Sequence, residues 1–233
     1  MLDTTNRDQF LARLAAQLGR EVRTQVQGDY AQLTDAPKTR LTELDSKNLL
    51  ATFMLNAQAL EVDCLTTRPA EVGETILALC EKYGGGDVII NDDTRLQALG
   101  VVNTLSQHYQ THIWSPESAV QNRTFAANAN IGIVFAEYGL TESGGIVLYS
   151  DKHFGRSVSL LPPVSMVLLK RSSILPRVAQ LASILDQKAA KGERMPSCIN
   201  IISGPSATAD IELVKVVGVH GPVKNVYVII DDV

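Results

Sequence analysis

Cysteine is scarce and scattered in this 233-residue chain, which has only Cys64, Cys80 and Cys198. An odd number at wide spacing is no disulfide framework. There is no C-x-x-C pair and no clustered Cys/His set, so the soft ligands of iron–sulfur and structural zinc sites are not gathered in sequence. Each cysteine has apolar neighbours and reads as a small buried hydrophobe. Long apolar runs are missing too: none approaches the roughly 20 residues of a membrane span. The opening Met1-Leu2-Asp3-Thr4-Thr5-Asn6-Arg7-Asp8 lacks the apolar core of a secretory signal. No membrane insertion is expected, and the expected location is cytoplasmic. A basic stripe is absent and the net charge is −4, which removes the electrostatic basis for non-specific nucleic-acid binding. Neither a Walker loop nor G-x-G-x-x-G occurs. His108 and His112 have i, i+4 spacing but lack the glutamate of H-E-x-x-H. No metal and no cofactor are expected.

The chain does have material for a core, with 45% hydrophobic residues. Thr5 or Asn6 caps a first helix with Phe10, Leu11, Leu14 and Leu18 on one face and Gly19 as its stop. Residues 20–45 are polar and aperiodic and read as a loop or mobile arm. Asp45 or Ser46 opens a second helix, and Val62-Asp63-Cys64-Leu65 reads as a strand. A helix around 70–83 ends at Gly84-Gly85-Gly86, before a strand at Asp87-Val88-Ile89-Ile90. Asp93 or Thr94 caps a short helix, and Ser115-Pro116-Glu117 reads as a helix start with proline in the first turn. Strands follow at 131–136, 144–149, 165–169, 199–202 and 226–230. A helix opened by Pro176 turns Val178, Leu181, Ala182 and Leu185 inward. Continuous Val/Ile/Leu runs separated by helices imply strands covered on both faces and joined by βαβ crossovers. The expected architecture is α/β: a layered, mostly parallel or mixed sheet flanked by helices, with an N-terminal helical arm over 1–45 and an α/β domain over 46–233. The strands at 131–136 and 145–149 are close enough in sequence to pair as a hairpin.

Four polar segments are candidate chemistry. Ser203-Gly204-Pro205-Ser206-Ala207-Thr208-Ala209-Asp210 follows a strand, where glycine permits close approach and hydroxyls can donate to an anion. A helix starting near Ser206 would aim its amides at the same place. The plainer reading is a capped helix start, with Ser206 or Thr208 as cap and Asp210 and Glu212 in the first turns. His220, between Gly218 and Gly221-Pro222, is either a general base or hydrogen-bond donor, or a histidine bracing its loop. Glu142 and Ser143 lie in Thr141-Glu142-Ser143-Gly144-Gly145, which projects into a cleft or simply turns the chain. Arg156, in Gly155-Arg156-Ser157, suits carboxylate or phosphate recognition unless it is an ordinary surface charge.

Taken together, Thr141-Glu142-Ser143-Gly144, Gly155-Arg156 leading to Ser159-Leu160-Leu161-Pro162-Pro163-Val164, and Ile202–Glu212 with Gly218-Val219-His220-Gly221-Pro222 resemble the lactate-utilisation protein C family (the LutC/YkgG group, or LUD domain). The resemblance runs in order over roughly residues 45–233. It implies an α/β fold similar to the sugar-phosphate isomerase and CoA-transferase group. It also implies a place in bacterial oxidation of L-lactate to pyruvate, beside partner proteins that carry iron–sulfur clusters, with this chain the cluster-free component. The family often has Glu-Thr-Gly-Thr where this chain has Glu142-Ser143-Gly144-Gly145. A histidine commonly follows its Pro-Pro-Val, where this chain has Ser165, so no proton transfer at that histidine carries over. Whether the chain is an enzyme stays open. Glu142, Asp210 and His220 are the candidate catalytic residues. Ser143, Gly144, Arg156, Gly204, Ser206 and Thr208 are the candidate ligands of a small anionic metabolite. In that scheme amides near Ser206 hold the anion, Arg156 pairs with it, and Glu142 or Asp210 moves a proton with help from His220. The alternative is a stand-alone enzyme or sensor acting on a small carboxylate- or phosphate-bearing metabolite.

Overall fold

Hydrophobic strands separated by helix-length connections can pair in parallel, because each crossover has room to return the chain to the same end of the sheet. The computed structural model describes residues 4–22, 33–210 and 212–233. It divides into two units, residues 1–35 and 36–233. The first contains α1 (Thr4–Gln17), which ends before Gly19 at φ +62°. Residues 23–32 of the sequence-assigned arm, and Ile211, lie outside the described residues. The larger unit begins at Ala36, whereas the sequence reading grouped 36–45 with the arm.

In chain order the larger unit runs α2 (Ala36–Thr39), α3 (Ser46–Ala59), β1 (Asp63–Thr67), α4 (Val72–Lys82) and β2 (Val88–Ile90). Then come α5 (Thr94–Ala98), α6 (Val101–Ser106), β3 (Thr111–Ile113), α7 (Ala119–Asn128) and β4 (Ile131–Phe135). After these lie β5 (Tyr138–Leu140), β6 (Gly145–Ser150), α8 (Ser157–Leu160), β7 (Val164–Lys170) and β8 (Ile174–Leu175). The chain finishes with α9 (Val178–Ala190), β9 (Cys198–Ile202), β10 (Ala207–Thr208), β11 (Val216–Val217) and β12 (Lys224–Ile230).

Six strands form one parallel sheet in the order β1-β12-β7-β4-β2-β3. Alternate side chains divide between its faces. Ile131, Ile133, Met166, Leu168, Val226 and Val228 meet α4, α5 and α6 on one side. Val134, Val167, Leu169, Tyr227 and Ile229 meet α3, α7, α8 and strand β6 on the other. Phe53 of α3 stacks on Tyr227 at 6.0 Å between ring centroids. Strand β6 belongs to a second sheet, ordered β8-β5-β6-β9. Its Ile146 and Leu148 face the large sheet, while Val147 packs with Leu181 of α9. A layered α/β fold is therefore present, as expected.

Three local expectations are corrected. The strand at 131–136 does not pair with that at 145–149; β4 lies between β2 and β7, and β6 takes its hairpin partner from β5. Both faces of β4 are apolar and both its edges are paired in parallel, so no edge remains for a hairpin. Helix α7 starts at Ala119 rather than Pro116, because the buried Asn122 amide ties down the preceding turn. Asn122 Nδ2 donates to the Ser115 carbonyl at 2.6 Å and its Oδ1 accepts from the Ser115 N–H at 3.2 Å. In α9, Leu181 and Leu185 face inward, but Val178 and Ala182 are exposed.

Candidate functional site

Three neighbouring strands carry a break in their apolar pattern at the same level. Register places Gly132 of β4 beside Ser165 of β7, and Ser165 beside Asn225 of β12. All three are near the amino ends of their strands and on the α8 side of the sheet. Gly132 lets α8 come down onto the sheet: a Cβ there would stand 1.8 Å from the Val158 carbonyl oxygen. Ser159 of α8 is thereby held over Ser165 and Asn225, and all three are buried.

This row forms the floor of a cleft of about 320 Å³. Its walls are Ile201–Ser206, at and beyond the end of β9, and His220–Pro222 before β12. Asn225 anchors the wall, its Nδ2 donating to the Gly204 carbonyl at 2.6 Å. That bond fixes the amide orientation and leaves Oδ1 buried without a partner among the described residues. Tyr227, one turn of the pleat further on, donates from its hydroxyl to the Ile202 carbonyl at 3.4 Å, and burial pushes its phenol well above the ordinary value. Gly204 adopts φ +79°, the left-handed conformation its position requires.

The expected helix near Ser206 is not formed. β10 and β11 pair antiparallel instead, as a small flap. The Ser206 N–H donates to the Pro222 carbonyl at 2.9 Å, and the Ser206 carbonyl accepts from the Gly218 N–H at 2.8 Å. This amide is consumed within the fold and is not free to hold an anion. Neither do Asp210 and Glu212 occupy a helix start. The Thr208 hydroxyl donates to Asp210 at 2.6 Å, and both side chains stay outside the cleft lining.

Of the sequence candidates, Gly204, Ser206 and His220 therefore meet in one cleft. The structure adds Ser159, Ser165, Ser203 and Asn225 to them. The signal for two of these was present: a serine and an asparagine embedded in strands that are otherwise apolar. Among the described lining residues His220 is the one histidine, and there is no lysine or arginine. Arg156 starts α8 and is exposed, outside the lining. Gly144 packs on α3, where a Cβ would stand 2.3 Å from the Ala57 nitrogen. Ser143 accepts from the Gly145 N–H at 3.3 Å. A Cβ at Gly145 would stand 2.4 Å from the Ser203 hydroxyl. Glu142 points elsewhere. Its Oε2 accepts from Arg177 Nε at 2.6 Å and its Oε1 from the Val178 N–H at 2.8 Å, so it caps α9 from 36 residues away.

The carboxyl ends of the same strands are charged. Arg95 makes a two-pronged contact to the buried Asp93, with bonds of 3.0 and 2.7 Å, and a 2.7 Å bond to Glu137. Its guanidinium also lies 4.4 Å from the centre of the Phe135 ring. Asp231 accepts from Arg171 at 2.7 Å, and Asp232 accepts from the Ser172 hydroxyl at 2.7 Å and its N–H at 3.0 Å. Burial works to raise the Asp232 pKa, but the two Ser172 bonds, with its own backbone N–H and the Lys170 charge, outweigh it and hold this carboxyl below its ordinary value.

Cys64, Cys80 and Cys198 sit on β1, α4 and β9. Burial pushes the Cys64 and Cys80 thiols up to about 12, with smaller contributions from Asp63 and Glu81. Among the described residues no group of three or more His, Cys, Asp or Glu is placed to hold a metal ion. No helix among them is long and apolar enough to cross a membrane.

Comparison with known proteins matches this framework. The uncharacterized protein YkgG of Escherichia coli (strain K12) is 50% identical over 97% of this chain and 99% of its own length. Lactate utilization protein C of Macrococcus caseolyticus is 38% identical, covering 97% of this chain and 96% of its own. The Bacillus subtilis (strain 168) protein of the same name is 37% identical, with 97% of both chains covered. At the level of fold, a DUF162 family protein from Deinococcus radiodurans superposes with a TM-score of 0.58 at 16% identity, covering 80% of this chain and 99% of that one. Residues 50–230 match the LUD domain, and the chain belongs to the LUD-domain family.

Proposed function

We propose that this protein acts in bacterial L-lactate utilisation, as a component working beside iron–sulfur proteins in the oxidation of L-lactate to pyruvate. The observation that carries the reading is likeness along nearly the whole chain to proteins named lactate utilization protein C. The three cysteines support the division of labour. They are spread over three elements, and two of their thiols stay protonated at neutral pH. Electron-carrying clusters are therefore assigned to the partners.

The cleft is the ligand site in this reading. Its hydroxyls, with His220 at the rim, suit a small hydroxy acid or its keto product, with Ile146, Val167 and Ile202 against the apolar part. Glu142 and Asp210 lie outside the lining, so no carboxylate joins His220 there, and this favours binding over stand-alone acid–base catalysis. Deletion and co-purification test the role. Loss of growth on L-lactate, with recovery of the chain together with iron–sulfur proteins, is the expected result. Normal lactate growth after deletion, with the chain recovered alone, would overturn it.

A further inference from the structure

Glu142 leads into a second cavity, of about 340 Å³, bounded by Arg40, Leu41, Thr52, Asn56, Glu142 and Arg177. Its chemistry differs from that of the cleft, because two arginines are among its lining residues. Arg177 is held from two sides: Nε donates to Glu142, and Nη1 donates to the Ala36 carbonyl at 2.8 Å. Its side chain is only 20% exposed, and its Nη2 makes no hydrogen bond among the described residues. Arg40 makes no hydrogen bond or ion pair through its guanidinium among the described residues. The Asn56 amide is fixed by its 2.7 Å bond to the Thr141 carbonyl, and Thr52 adds a hydroxyl one helical turn away on α3.

The charge balance is uneven. Both oxygens of Glu142 are engaged, one by Arg177 and one by the α9 backbone. Two guanidiniums against one carboxylate leave one positive charge in a small, partly enclosed space. Arginine forks match the planar geometry of a carboxylate, and a preformed one loses little freedom on binding. We infer that this cavity binds a small monocarboxylate, bridging Arg40 and the free Nη2 of Arg177, with the Thr52 hydroxyl as a third donor. Glu142 is then a positioning residue, aiming Arg177 through the bond its Oε2 accepts from Nε. This site is separate from the serine-lined cleft and goes beyond the lactate-utilisation reading.

Calorimetric titration of the full chain with acetate, pyruvate and L-lactate, and with inorganic phosphate as a comparison anion, tests the site. Arg40→Gln is expected to weaken carboxylate binding about 10-fold or more, since a charge-assisted bond is lost, while the melting temperature stays unchanged. Arg40→Lys restores part of the affinity, as a point charge without the fork. Unchanged affinity in Arg40→Gln overturns the proposal, as does no measurable carboxylate binding at millimolar concentration. Tighter binding of phosphate than of any carboxylate overturns the ligand class. Because the readout is binding to the isolated chain, its failure leaves the growth and co-purification test of the lactate role standing.

Discussion

The two ends of strands β4, β7 and β12 are built from opposite chemistry. At the amino ends a glycine, a serine and an asparagine replace apolar residues, and the lining holds hydroxyls, amides and one histidine. At the carboxyl ends, joined by Asp93 and Arg95 from beyond the neighbouring β2, Glu137, Arg171, Asp231 and Asp232 are bound to one another, to those two or to Ser172. Open α/β sheets commonly place ligands beyond the carboxyl ends of their strands. Here those ends are occupied by mutual pairing, and the uncommitted polar groups are at the other end. Charge that is already paired offers little to a ligand, whereas the hydroxyls of Ser165, Ser203 and Ser206 line the cleft; that of Ser159 donates to the Arg156 carbonyl at 3.3 Å.

Arg95→Ala is the severest test of that contrast. It leaves the buried Asp93 without its charged partner and only the backbone N–H of residue 95, and a loss of about 3 kcal/mol is expected in urea unfolding. A loss under about 1 kcal/mol would show that the carboxyl-end pairs are not structural. Gly132→Ala comes next, at about 3 kcal/mol, because a methyl group there meets the backbone of α8 rather than a movable side chain. In the cleft wall, Ser206→Ala and His220→Ala are expected to change stability by no more than about 0.5 kcal/mol, while reducing growth on L-lactate. If either unfolds the protein, the amino end is as structural as the carboxyl end. The smallest effect is expected of Ser172→Ala. Asp232 is held below its ordinary pKa in the folded chain, so its contribution is present above the unfolded value near 4 and fades as pH falls through the folded one. The variant's deficit is therefore expected to be present at pH 7 and to shrink as the pH is lowered below about 4, measured by urea denaturation across that range.

Much of the sheet was legible because buried parallel strands leave continuous Val/Ile/Leu runs, as at Ile131–Phe135 and Lys224–Ile230. Tyr138–Leu140 was hidden: its neighbours are turn formers, and it becomes a strand only because β6 and β8 flank it. The segment after β9 misled for a chemical reason. Ser, Thr, Asp and Glu at that spacing satisfy a helix start, but the same hydroxyl-to-carboxylate bond, Thr208 to Asp210, serves a flap equally well. The cleft was half legible. Ser206 and His220 stood out beside glycines, whereas Ser165 and Asn225 became neighbours only through strand pairing across 60 positions of sequence. Glu142 could not be recognised as the cap of α9, nor Arg40 and Arg177 as companions, because local spacing carries no information about contacts of that range.

The place of β12 between β1 and β7 has a consequence for biosynthesis. Strand β1 is made early and β12 after every other strand of the sheet. Until β12 leaves the ribosome, β1 has no partner and one side of β7 is an open edge. The large sheet therefore closes only after all its other strands have emerged, and until then its open edges are exposed to pairing with a neighbour. The cleft is completed at the same moment, since Asn225 and the segment that carries His220 arrive with the closing strand.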